Sequence, residues 1–175
     1  MTAKSAYRVF VAFVLIAAGG TRSAAEIIDR VLAVVSGDLI TLSDVTAARD
    51  LGLQTADGAA DPTRAILSKL IDRELVLAEV DRYGPPEPTR EAIDTEVAKV
   101  RARFASAAGY TDVLQRSGID EAHLRETLRQ DLRIRAYQDQ RFATAGERRQ
   151  SMIDEWIASL RRRASVLDLY AATRR

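Results

Sequence analysis

The stretch "RRRASVLDLY" (residues 161–170) lies near the C-terminal end: three arginines close a helical pattern, and Val166, Leu167, Leu169 and Tyr170 then read as a short β-strand. A lone strand leaves backbone donors and acceptors unpaired, and nothing close in sequence could satisfy them. The other β-rich stretch is "IIDRVLAVVSGDLITLSDV" (residues 27–45), at the opposite end. There Ile28 to Val35 is rich in β-branched residues, Ser36-Gly37-Asp38 is turn chemistry, and Leu39-Ile40-Thr41 resumes an extended pattern, which together predict a hairpin. The terminal strand must return to this hairpin or else pair with another molecule, and closing so long a loop costs little more than closing a short one because the entropic penalty grows only logarithmically with length. The economical arrangement is a three-stranded patch that joins both ends of the chain around a helical body, giving a mainly α fold.

What lies between reads as helices. Thr41 with Asp44, or Ser43 alone, caps a first helix through Leu51. "QTADGAADP" is loop, and Asp61 followed by Pro62 starts a second helix that runs to Tyr83 and stops at Gly84-Pro85-Pro86. Its wide apolar face comprises Ile66, Leu67, Leu70, Ile71, Leu75, Leu77 and Ala78, which marks a central buried helix. A third helix, capped near Thr89, carries a narrow stripe of Ile93, Val97, Val100 and Phe104. "ASAAGYT" breaks it, and Thr111 to Ser117 makes a short helix ending at Gly118. Asp120 caps a long helix to about Phe142, with Leu124, Leu128 and Leu132 on one side and Ile134 and Tyr137 widening the face. After "ATAGE", Met152, Ile153, Trp156, Ile157 and Leu160 define the last helix.

The N-terminal stretch has its own signature. Lys4 and Arg8 precede an apolar run from Val9 to Ala18, and Ser23 and Ala25 are small residues suited to cleavage after Ala25. The run is far below the ~20 residues of a membrane span, which favours a cleaved secretory signal over a retained anchor. The expected organisation is a signal peptide over residues 1–25 and one domain over 26–175. Lys4, Arg8 and Arg22 leave with the leader and no acids do, so 23 basic residues face 25 acidic ones. Such a balance argues against a nucleic-acid binder. The chain has no cysteine, hence no disulfide, thiol nucleophile or thiolate-held metal.

Few residues suggest chemistry. His123 is the only histidine, a poor basis for a metal site or a serine-hydrolase triad, and no glycine-rich phosphate cradle appears. The carboxylates of "REAIDTEVAKV" and "DEAHLRETLRQDL" sit among cations at helical spacing and read as solvated faces. "LRRRAS" offers cations for phosphate or acidic lipid, though cations in a last helical turn also complement the helix dipole. Glu74 interrupts the apolar face of the second helix; it is an acid in a cleft, or half of an ion pair with Arg133 or Arg135 as expected partners, or a side chain whose end reaches solvent. No catalytic, cofactor-binding or metal-binding residue is assigned, and the residues of any peptide-binding site stay unassigned.

Four stretches carry a resemblance. "IIDRVLAVVSGDLITLSDV" resembles the start of the mature SurA family of periplasmic chaperones, with its I-D-x-V-x-A-V-V run, turn and S-D-V helix start. "LSKLIDRELVLAEVDRYG" is similar to that family's next helix, and "GIDEAHLRETLRQDLRIRAYQDQRF" to its long amphipathic one. "IDEWIASLRRRASVLDLY" looks like its terminal helix and strand. The resemblance covers nearly all of residues 27–170 and departs from the family at "ATAGERRQ" (residues 143–150), where parvulin-type prolyl isomerase domains usually sit. It therefore implies the chaperone core without isomerase activity: an ATP-independent, non-catalytic periplasmic protein that binds unfolded outer-membrane proteins. The groove such a role needs has two candidate linings, the third helix's stripe and the last helix's broad one. Rival readings are an adaptor gripping one folded partner, an isomerase with an unrecognised site, and a core on which a separate isomerase chain docks.

Overall fold

The computed structural model describes residues 29–170; the leader and its cleavage position lie outside the described residues. The described chain is mainly helical with one small sheet. Strands β1 (Val31–Val35) and β2 (Asp38–Thr41) form the hairpin, and β3 (Val166–Asp168) follows the last helix. Ser36 and Gly37 both have positive φ, 54° and 109°, the pattern of a two-residue turn whose twist matches that of its strands. The sheet order is β2-β1-β3, both pairings antiparallel, with Val34 opposite Leu39 on one side and Leu167 on the other. The terminal strand thus pairs with the strand that opens the described chain. Two bonds extend the ladder beyond β3: Ser36 N–H donates to Ser165 O at 3.0 Å and Leu169 N–H to Leu32 O at 2.9 Å. A register shift between Val31 and Ala33 breaks the alternation of faces, and Leu32 and Ala33 are both fully buried.

The helices are α1 (Leu42–Asp50), α2 (Pro62–Tyr83), α3 (Arg90–Arg101), α4 (Ala107–Arg116), α5 (Glu121–Arg141) and α6 (Arg149–Arg163), the last preceded by a 3₁₀ turn at Gly146–Arg148. Thr41, Asp61, Thr89, Ser106 and Asp120 each accept a hydrogen bond from the first turn of the helix that follows, and each such cap contributes about 1 kcal/mol. At α1 the cap is reciprocal: Asp44 N–H donates to Thr41 Oγ1, and Thr41 N–H donates to the Asp44 carboxylate. Gly84 ends α2 in the left-handed region at φ 60°.

Three sequence expectations need correction. The fourth helix begins at Ala107 rather than Thr111, because Ser106 accepts from Gly109 N–H and so caps through "ASAAGYT". Phe104 lies beyond the end of α3, and its ring instead meets Tyr110 of α4 at 5.7 Å. Met152 and Ala78 are exposed, so the apolar faces of α6 and α2 are narrower than their spacing suggests.

Packing divides the interior in two. One cluster joins the inner sheet face to α2, the end of α5 and α6, through Leu32, Val35, Ile40, Ile66, Leu67, Val80, Tyr137 and Trp156. The other joins α1, α3, α4 and the start of α5, through Ala47, Leu51, Val97, Val100, Leu114, Leu124 and Leu128. Helices α1 and α5 contribute to both. Between α6 and α2, Arg161 pairs with Asp72 and donates to the carbonyl and hydroxyl of Ser68 at 2.8 Å each.

The chain's return is fastened by Tyr170, which is buried. Its hydroxyl donates to the Asp61 carboxylate, at 3.0 and 3.1 Å from the two oxygens, while Asp61 also caps α2. The guanidinium groups of Arg30 and Arg64 lie 6.0 Å from its ring centre. Ending the chain at Ser165 should therefore destabilise the whole domain, by about 3–5 kcal/mol from the aromatic burial alone. Tyr170→Phe, which keeps the ring and removes the donor, should cost about 1–2 kcal/mol. Urea melts of the three proteins check the series, and coincident midpoints would mean that the two ends fold independently.

Candidate functional site

A cleft of about 390 Å³ opens on the seam between the two packed clusters. It is walled by Leu39 and Ile40 of β2, Ala47 and Ala48 of α1, Leu53 of the following loop, and Leu70, Arg73, Glu74 and Leu77 of α2. Ile119 and the α5 residues His123, Leu124, Thr127, Gln130 and Asp131 close the far side. The seam stays open for a local reason. Ala47 belongs to one cluster and Ala48 to the other, so beside Asp44 α1 presents two methyl groups where larger side chains would fill the gap.

The floor is polar. Arg73 Nε donates to Asp131 at 2.8 Å, one terminal nitrogen to Glu74 at 2.7 Å, and the other to Gln130 Oε1 at 2.8 Å and Thr127 O at 3.2 Å. One guanidinium thus ties α2 to α5 across the seam, using the planar fork that lysine lacks. Burial works against the charge on Arg73, but Asp131 and Glu74 outweigh it and hold the guanidinium above its ordinary pKa. Glu74 shifts upward from the usual carboxylate range. Burial is the main cause, Arg73 opposes it, and the negative charges of Asp38 and Asp44 add to it. The two shifts are consistent because Arg73 is shared with Asp131, whereas Glu74 faces several like charges.

Glu74 is both: it lines the cleft, and it is half of an ion pair whose partner is its own neighbour Arg73 rather than Arg133 or Arg135. Arg133 is committed to Asp81 at 2.6 Å and Glu87 at 3.2 Å, and Arg135 to Glu96 at 3.3 Å. Sequence reasoning passed over Arg73 because adjacent helical residues point about 100° apart and rarely meet. Here both border a cleft that α2 meets broadside. The available signal was the pair of adjacent charges interrupting an apolar helix face.

Most of the two expected groove linings is spent on packing: Val97 and Val100 of α3, and Ile153, Trp156 and Leu160 of α6, are buried in the two clusters, while Ile93, Phe104 and Ile157 are half-buried and Met152 is exposed. His123 is exposed, on the rim of the cleft. A broader hollow of about 570 Å³ lies beside Tyr83, Pro85, Pro86, Tyr137, Gln140 and Arg141. Tyr83 stacks there on Tyr137 at 5.9 Å, and Arg141 is spent on the rings of Tyr137, Phe142 and Trp156. On the outer sheet face Leu39 and Leu167 are 59% and 56% exposed, flanking the half-buried Val34.

Neither a scan against protein-family models nor a search of curated proteins found a match to this chain.

The upward shift of Glu74 has a sign that can be measured. A carboxyl with a higher pKa in the folded state binds more protons there than in the unfolded state, so its ionisation destabilises the fold as pH rises through that interval. Glu74→Gln keeps an acceptor for Arg73 and removes the charge. Its melting temperature should exceed the parent's at pH 7, with the advantage shrinking as pH falls through 4.5, the ordinary glutamate value. A difference that stays constant between pH 4 and 7 would contradict this assignment.

Proposed function

We propose that the chain is the core of an ATP-independent periplasmic chaperone of the SurA N-domain type, which binds unfolded outer-membrane proteins without catalysing a reaction on them. The observation that supports this reading most is the open, apolar-ribbed cleft on the seam of a domain whose first and last strands share one sheet. Leu39, Leu53, Leu70, Leu77 and Ile119 offer aliphatic surface on several sides, and no one shape of ligand is demanded. Its volume suits a side chain or two of an extended polypeptide, near the low end of ligand sites. Each apolar side chain buried contributes about 1.5–3 kcal/mol, and association and ordering offset much of that. The outcome is weak, rapidly reversible binding. A holding chaperone needs this, because the client must leave to fold elsewhere without nucleotide-driven release.

Dilution of urea-denatured porin into buffer with the chain tests the proposal by light scattering. Near-stoichiometric suppression of aggregation is expected. Leu39→Ser and Leu53→Ser should each weaken it several-fold, and for the exposed Leu39 the stability change should stay within about 0.5 kcal/mol. An absence of protection, together with a single tight partner in pull-downs, would assign the cleft to an adaptor instead.

A further inference from the structure

We infer, granting that reading, that the cleft selects client segments in which a lysine or arginine lies between apolar residues. Five carboxylates border it: Asp38, Asp44, Glu74, Asp81 and Asp131. The cation among them is Arg73, already divided between Glu74 and Asp131, with the single histidine, His123, on the rim. Asp44 accepts from the backbone and hydroxyl of Thr41, and Asp81 is met from outside the cleft by Arg133. Asp38 is exposed at the cleft mouth, where its charge opposes ionisation of Glu74. The field at the opening is therefore negative, while the walls between the acids are aliphatic.

Two kinds of cation could answer that field. Among the described residues no group of three or more acids or histidines stands close enough to hold a metal ion. The charge is spread around an apolar hollow instead of converging on a point. Such a distribution fits a long aliphatic stem with a charged tip, the form of lysine and arginine, whose methylenes bury against leucines while the head stays near water and acids. A glutamate in the same place would lose hydration and meet like charge, which makes the selection repulsive as well as attractive.

The test uses three fluorescein-labelled unfolded peptides, identical except for a central arginine, glutamine or glutamate between leucines. Binding to the full chain is read by anisotropy. Affinity should fall in the order arginine, glutamine, glutamate, spanning about tenfold at low ionic strength and narrowing with added salt as the exposed charges are screened. Asp38→Lys should shrink or invert the arginine-to-glutamate ratio, whereas Asp154→Lys, the same charge change on an exposed position of α6, should leave that ratio as it was. Equal affinities for the three peptides, or a ratio indifferent to Asp38→Lys, overturn the inference. If porin is still protected in that case, the chaperone reading stands without it; if no peptide binds and porin aggregates, both fall. A concentration-dependent dimer abolished by Leu39→Ser would give the cleft to a second copy of the chain and likewise overturn the inference.

Discussion

Backbone pairing on both sides of β1 is the constraint on which the rest of the molecule depends. A central strand must satisfy donors and acceptors along both edges, and here one edge is met by the hairpin partner and the other by a strand from the far end of the described chain. The helices α1 to α6 all lie between β2 and β3 and are thereby enclosed within one long loop. Tyr170 adds a second fastening to that loop, by donating a hydrogen bond to the same aspartate that caps the central helix. The return of the chain and the start of α2 consequently share a side chain, and neither can shift without the other.

Within that enclosure the interior forms two clusters instead of one. Helices α1 and α5 serve both, and their small or polar residues at the crossing leave the cleft. A hollow lined by leucines would ordinarily collapse, since unfilled apolar space forfeits dispersion contacts. Arg73 fixes the spacing of the walls: its fork spans from α2 to two side chains and a carbonyl of α5. Packing, electrostatics and the proposed weak, charge-selective binding all trace to that crossing.

Much of the architecture was legible in the residues. Thr41-x-x-Asp44, Asp61-Pro62 and Asp120 announce helix starts through side-chain chemistry that acts within a few residues, and Gly84 announces a stop because few other residues adopt its φ readily. Ser106 was missed, since Ser-Ala-Ala-Gly reads as a breaker until its hydroxyl is seen meeting Gly109 N–H. The site was harder to read. The apolar stripes of α3 and α6 are legible as stripes, but periodicity cannot distinguish a face that meets a neighbour from one that meets a ligand. Both meet neighbours.

The sequence alone determined what depends on near neighbours and on unmet valence: the hairpin, the helix ends, and the requirement that Val166 to Leu169 find a distant partner strand. Only the tertiary structure decided which partner Glu74 takes, where the two clusters part, and that α1 turns its alanines to the gap. Local capping and turn energies are set by atoms a few residues apart, whereas a cleft is the space that several elements jointly fail to fill, and its position depends on how all of them cross.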